Sequence, residues 1–225
     1  MKITVLSLFE NFYDEFLKTS IIKRAINNNL VNIEIVNFRN FSKDKHLKVD
    51  DIPYGGGAGM VLMLQPIVDA INYYKKSNSL VILLTPSGTV YNQQKAFELS
   101  KHNHLILICG HYEGFDERIS NYVDMEISIG DYVLTGGEIA SMAIIDSVVR
   151  LLPGVISKQS LESESFENNL LDYPNYTKPH NFNGYKVPEV LLSGNHKKIN
   201  EIRKEWQLEK TKKHRMDLFY KYQKK

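Results

Sequence analysis

The chain has 225 residues, 43% hydrophobic and 24% charged, with a formal net charge of +2. That length suits one large domain, or one domain and a smaller one, with enough apolar residues to bury a core. A lone cysteine, Cys109, excludes an internal disulfide, and no apolar run reaches the roughly 18 residues of a membrane span.

Ile3–Leu8 reads as a strand and lacks a signal-peptide layout, so the cytoplasm is the expected location and no membrane is expected as a partner. Helical periodicity follows over Asn11–Asn28, then a strand over Asn32–Asn37, a helix over Gln65–Lys76 and a strand over Leu80–Thr85. Next come a helix over Asn92–His102, a strand over His104–Cys109, a helix over Asp116–Tyr122 and a strand over Asp124–Ile129. Strands alternating with helices predict an α/β fold with a mostly parallel sheet. The runs near Leu80 and Leu105 are apolar at successive positions, as in strands covered by helices on both faces. Cys109 ends one of them, which predicts a buried, inert thiol.

The last strand runs into Gly130, Tyr132-Val133-Leu134 and Gly136-Gly137, and a long apolar helix pattern covers Gly136–Leu152. Adjacent glycines let backbone approach a ligand closely, and loops after strands are where open α/β sheets bind ligands. No Lys or Arg lies between Arg118 and Arg150, and neither the phosphate-loop nor the dinucleotide fingerprint is present. A nucleoside-like ligand and a plain strand-to-helix connection fit this loop equally well on its own evidence.

Leu152-Pro153-Gly154 stops the helix. Ser157–Asn169 is rich in Ser, Glu, Gln and Asn and reads as a mobile linker. Pro174, Pro179 and Pro188 predict an irregular stretch, followed by helices over His196–Glu209 and Thr211–Tyr222. From Asn195 to the end, eleven Lys or Arg stand against four Asp or Glu, a basic tail on a mildly acidic body. That asymmetry suggests a polyanion partner, RNA or DNA first. The expected domains are 1–156, an α/β body; 157–169, a linker; and 170–225, a small basic helical domain.

Five segments carry a resemblance: Asp50-Asp-Ile-Pro-Tyr-Gly-Gly-Gly-Ala-Gly-Met60, Leu84-Thr-Pro-Ser-Gly88, Cys109-Gly-His-Tyr-Glu-Gly-Phe-Asp-Glu-Arg118, Ser128-Ile-Gly-Asp-Tyr-Val-Leu-Thr-Gly-Gly-Glu138 and Pro188-Glu-Val-Leu-Leu-Ser-Gly-Asn-His196. Co-linear over nearly the whole chain, they resemble the bacterial tRNA (guanine-N1)-methyltransferases acting at position 37, of the knotted SPOUT class. The resemblance implies a deep C-terminal trefoil knot in the body, an exception to the usual unknotted connections. It implies S-adenosyl-L-methionine as methyl donor and a homodimer with shared active sites. The implied substrate is tRNA, through an anticodon stem-loop with guanosines at positions 36 and 37. It leaves room for Mg2+ but assigns it to no residues.

For the donor, the resemblance points to Pro86, Gly110, Tyr112 and Glu113, and to Ile129, Gly130, Asp131, Tyr132, Val133, Leu134, Gly136 and Gly137. Apolar side chains enclosing a ring, with a few polar anchors, suit such a ligand. His111 stands where many relatives carry arginine, and Ala140 where they often carry proline.

Guanine N1 is protonated at neutral pH, so its methylation requires a base. Charge then develops on O6, where a cation lowers the barrier. Arg150 matches the family's catalytic arginine. Glu164, directly before Ser165-Phe166, stands where relatives carry an aspartate; it is the expected base, with Glu162 as fallback. The resemblance places Asp50, Asp51 and Gly55-Gly56-Gly57 near the substrate guanine, and Asp172 matches a further active-site carboxylate of unspecified role.

Two readings from other classes compete. A Rossmann-type oxidoreductase lacks its fingerprint here. A non-catalytic RNA-binding module does not account for the joint presence of Glu113, Arg150 and a linker carboxylate.

Overall fold

A computed structural model describes residues 1–157, 160 and 164–224, with only the backbone of Glu167. Contacts divide the chain into two compact units, Met1–Ile156 and Ser157–Lys225.

The first unit is built on a five-stranded sheet of β1 (Lys2–Ser7), β2 (Asn32–Asn37), β5 (Ser79–Val90), β6 (His104–Ile108) and β7 (Met125–Ser128), in the order β2-β1-β6-β5-β7. Every pairing in it is parallel. The alternation of side chains along each strand explains the two cores. Ile3, Val5, Leu105, Leu107, Ile82 and Leu84 face one side. They pack on Ile22 and Ala25 of α2 (Ser20–Asn27) and on Ile144, Ile145, Val148 and Val149 of α5 (Glu138–Val149). Leu6, Ile106, Ile108, Val81 and Leu83 face the other side, against Phe38 and against Ile67, Ala70 and Ile71 of α3 (Leu64–Tyr74). Pro66 is tolerated in the first turn of α3, where its missing N–H would have had no helical partner. The remaining body helices are α1 (Asp14–Leu17) and α4 (Gln93–Leu99), the latter capped by the Asn92 side chain accepting from Lys95 N–H at 3.0 Å.

The expected helix over Asn11–Asn28 is broken. A 3-10 turn at Glu10–Tyr13 leads into α1, and Ser20 starts α2 with φ +48°. Glu117–Tyr122 is likewise a 3-10 turn rather than an α-helix, begun by Asp116 accepting from Arg118 N–H at 3.0 Å. Strand β5 runs further than expected: Leu84 and Thr89 both lie opposite Ile127, so residues 85–88 leave the ladder and return. A short ribbon, β3 (Asp50–Asp51) with β4 (Val61–Leu62), brackets the glycine-rich loop.

The second unit contains a hairpin, β8 (Asn181–Phe182) with β9 (Tyr185–Lys186), and two helices, α6 (His196–His214) and α7 (Met216–Gln223). Asn183-Gly184 makes the hairpin turn with φ of +50° and +90°, the positive values a two-residue turn of this kind requires. The stretch expected to be irregular therefore holds a ribbon. The helix break falls at Arg215 and not before Thr211. Thr211 is buried inside α6, where its hydroxyl donates to Gln207 O at 2.6 Å and accepts from Leu171 N–H at 2.8 Å. Among the described residues no helix is long and apolar enough to cross a membrane.

Tyr13 joins helix to sheet from within the first core: its hydroxyl lies 2.7 Å from Ser141 Oγ and 3.4 Å from Cys109 Sγ. Burial pushes its pKa well above the usual phenol range, so it stays neutral. Tyr13→Phe keeps the ring and removes the hydroxyl. Unfolding free energy should fall by about 1 kcal/mol, seen as a lower urea midpoint at unchanged slope. An unchanged midpoint would show that the hydroxyl contributes nothing.

Candidate active site

The segments that follow β6 and β7, and the stretch where β5 leaves the ladder, converge on a cavity of about 400 Å³ in the first unit. Its wall is made mainly by three segments, residues 83–87 where β5 leaves the ladder, residues 110–115 after β6, and residues 126–130 and 132–137 across the end of β7 and the loop into α5, with Glu117, Ile119 and Ser120 beside them. Close backbone passes let these segments meet. Gly137 N–H donates to Gly110 O at 2.9 Å. A β-carbon on Gly137 would stand 2.7 Å from Cys109 Cα, and one on Gly110 would stand 2.6 Å from the Phe115 ring. Gly88 runs directly over the backbone of Ile127. Gly130 adopts φ +150°, and the Tyr132 ring folds to 2.5 Å from where its β-carbon would be. Tyr112 sits at φ +59°, a conformation that costs a non-glycine residue of order 1–3 kcal/mol. Such strain persists only where the surroundings dictate it.

Electrostatically the wall is one-sided. Glu113, Glu117 and Glu126 line it, and among the described residues no Lys or Arg does. Glu126 is held by Ser120 Oγ at 2.9 Å and Ser87 Oγ at 3.4 Å. A cavity of this size with carboxylates and aromatic rings suits a compact, cationic, nucleoside-like ligand. It would repel a polyphosphate. Cys109 beneath it is buried, and burial pushes its thiol up to about 12, which makes it inert. Among the described residues no group of three or more His, Cys, Asp or Glu could hold a metal ion.

Pro86, Gly110, Tyr112, Glu113, Ile129, Gly130, Tyr132, Val133, Leu134, Gly136 and Gly137 all line this cavity; Asp131 is exposed and does not. The glycine-rich loop reaches the same region. Glu113 N–H donates to Met60 O at 3.0 Å, and a β-carbon on Gly59 would stand 2.5 Å from the Glu113 side chain. Asp50 and Asp51 form the β3 side of the ribbon, and Gly55, Gly56 and Gly57 all have positive φ with open space around them. Arg150 is half-buried at the carboxyl end of α5, its N–H donating to Asp146 O at 3.2 Å. Glu164 and Asp172 belong to the second unit, both half-buried, and Glu162 lies outside the described residues. Asp172 Oδ2 accepts from Asn175 at 3.1 Å, whereas Oδ1 is buried with no hydrogen-bond partner among the described residues. Sequence reading missed Glu117 and Glu126. The signal for Glu126 was a carboxylate in the middle of an otherwise apolar strand, Met125-Glu126-Ile127.

Comparison with known proteins decides the family. A family model described as tRNA (Guanine-1)-methyltransferase TrmD matches residues 1–221. The chain belongs to this family. It is 79% identical over 222 residues to a tRNA (guanine-N(1)-)-methyltransferase of Malacoplasma penetrans, covering 99% of this chain and 98% of that protein. It is 61% identical to the protein of that name from Ureaplasma urealyticum, over 99% of this chain and 98% of the relative. The Borrelia duttonii protein of the same name is 53% identical, over 99% of this chain and 94% of its own length. The α/β fold with a parallel sheet agrees with this membership.

Because Gly137 is met by backbone and not by a flexible side chain, nothing can yield to a larger residue there. Gly137→Ala should destabilise the protein by about 1–3 kcal/mol in urea unfolding. A variant as stable as the parent would mean that the 110 and 137 segments do not pack this closely.

Proposed function

We propose that the protein transfers the methyl group of S-adenosyl-L-methionine to N1 of guanosine 37 of tRNA, 3′ of the anticodon. The observation that carries the reading is the carboxylate-lined cavity between the three loop segments, with no Lys or Arg among its described lining residues, in a chain of this family. When bound, the donor supplies an electrophilic methyl group on a sulfonium centre. Tyr112, Ile129, Tyr132 and Leu134 would enclose its adenine and Glu113 would accept hydrogen bonds from its polar groups. Backbone at Gly110, Gly136 and Gly137 would lie close against it. The trefoil knot belongs to the same proposal, and the close passes at Gly88 and Gly137 support it.

The chain's remaining task is to make guanine N1 nucleophilic. Glu164 accepts the N1 proton, since a carboxylate is the available base in that segment. Arg150 faces the charge that grows on O6 as the proton leaves. The open glycine loop at Gly55–Gly57, with Asp50, admits the base edge closely because no β-carbons intervene. Anticodon-loop nucleotides are unpaired, which lowers the cost of turning one out. The basic segment from Asn195, with α6 at its centre, holds tRNA phosphates without reading sequence. Homodimerisation is part of the proposal; large exposed apolar side chains at Phe9, Phe12 and Val133 support it. A second reading gives the proton to Asp172, because its Oδ1 is buried without a partner among the described residues.

The direct test is mass spectrometry of nucleosides from tRNA incubated with the protein and S-adenosyl-L-methionine. N1-methylguanosine should appear, and a transcript with another base at position 37 should stay unmodified; methylation elsewhere would overturn the reading. Glu164→Gln and Asp172→Asn then separate the two bases in single-turnover assays. Loss of the base should slow transfer by about 100- to 10,000-fold. If Glu164→Gln reacts at the parental rate and Asp172→Asn does not, the proton goes to Asp172. Arg150→Ala should lower turnover by about 100- to 1,000-fold with donor affinity kept. Retention of more than about a third of turnover would remove Arg150 from its role.

A further inference from the structure

Glu138 is a carboxylate in the interior. It is 2% exposed, yet three parts of the fold converge on it. Ser7 Oγ, at the carboxyl end of β1, donates to Oε1 at 2.5 Å. His111 Nε2, from the segment after β6, lies 2.7 Å from Oε2. Glu138 itself opens α5, where an anion is favoured by the free N–H groups of the first turn. Ser7 is fully used, because its oxygen also accepts Phe9 N–H at 3.0 Å. The Phe9 ring packs on His111 with centroids 4.6 Å apart. Gly136 is needed for this arrangement: a β-carbon there would collide with the His111 ring and stand 2.6 Å from Glu138 Oε2.

A buried carboxylate is costly unless its oxygens are hydrogen-bonded, and here both are. A carboxylate only accepts, so His111 Nε2 carries the hydrogen and the ring's tautomer and orientation are set by Glu138. His111 and its neighbours Gly110, Tyr112 and Glu113 line the cavity; Glu138 does not. We propose that Glu138 is the positioning residue of the donor site, fixing the 110–115 wall through His111 while braced by Ser7 on β1. Its charge therefore acts on methyl-donor affinity and not on tRNA affinity. This rests on the reading of the cavity as the S-adenosyl-L-methionine site, so its test includes measurements that need no donor.

Glu138→Gln keeps the size and can still accept from Ser7, but its amide donates where Oε2 accepted. In the full-length protein without ligand, nitrogen chemical shifts of His111 should show hydrogen on Nε2 in the parent and its loss from Nε2 in Glu138→Gln. Amide exchange of Glu113 and Gly114, both hydrogen-bonded in the parent, should quicken by about tenfold or more in the variant, with β6 amides unchanged. Calorimetry should show donor affinity weakened by about tenfold and tRNA affinity unaltered. Ser7→Ala removes the brace alone and should give the same pattern to a smaller degree, which covers the case that Glu138→Gln fails to fold. His111→Arg, which keeps donors for Glu138, should lose less donor affinity than His111→Ala. Unchanged exchange and tautomer in Glu138→Gln would overturn the positioning role. So would equal loss of donor and tRNA affinity, which marks general damage. If the parent binds no donor, the cavity assignment fails, and the tautomer and exchange results still decide whether Glu138 positions the wall.

Discussion

The hydrogen bond from Gly137 N–H to Gly110 O, at 2.9 Å, is the constraint on which the rest of the site depends. It requires two backbones to touch where β-carbons would ordinarily hold them apart. Once they touch, the loop after β6 and the entry to α5 become one surface, and Glu138 is carried to His111. The sheet makes this approach possible. Parallel strands end at the same edge, so β5, β6 and β7 deliver their loops together. The two apolar layers on either face of the sheet stabilise that edge, while the rim carries strain at Tyr112 and a buried carboxyl at Glu138, the first residue of α5.

Charge is sorted along the chain in the same spirit. The cavity wall has Glu113, Glu117 and Glu126 and, among the described residues, no Lys or Arg. The excess positive charge lies in the segment from Asn195 to the end of the chain, most of it on α6. A carboxylate wall favours a cationic small molecule, and a basic segment favours a polyanion. The polar groups beneath the cavity follow a different logic. Tyr13, Ser141, Cys109, Ser7 and Glu138 are buried and joined by hydrogen bonds. That satisfies each group in a core where an unpaired one would be costly.

The strands were legible because burial on both faces leaves apolar runs bounded by polar residues, and Asn32–Asn37 has the same limits in sequence and structure. The cavity-lining loops were legible as motifs, above all Gly136-Gly137. Helix boundaries were less so. Thr211 looks like a helix start, yet its hydroxyl serves Gln207 O inside α6 and Leu171 N–H across the second unit. Tertiary demand overrode local preference there. The break at Ser20 depends on a positive φ that serine does not announce. The pairing of Glu138 with Ser7 was invisible for a plainer reason: the two lie 131 positions apart, and only folding brings them together.

A carboxylate-lined cavity should select a cationic nucleoside over a polyphosphate. Parallel calorimetric titrations of the full-length protein with S-adenosyl-L-methionine and with ATP test it most directly. The expected result is saturable binding of S-adenosyl-L-methionine, and no binding of ATP at concentrations up to about 1 mM, where interactions weaker than roughly −4 kcal/mol go unseen. Tight binding of ATP with none of S-adenosyl-L-methionine would contradict it.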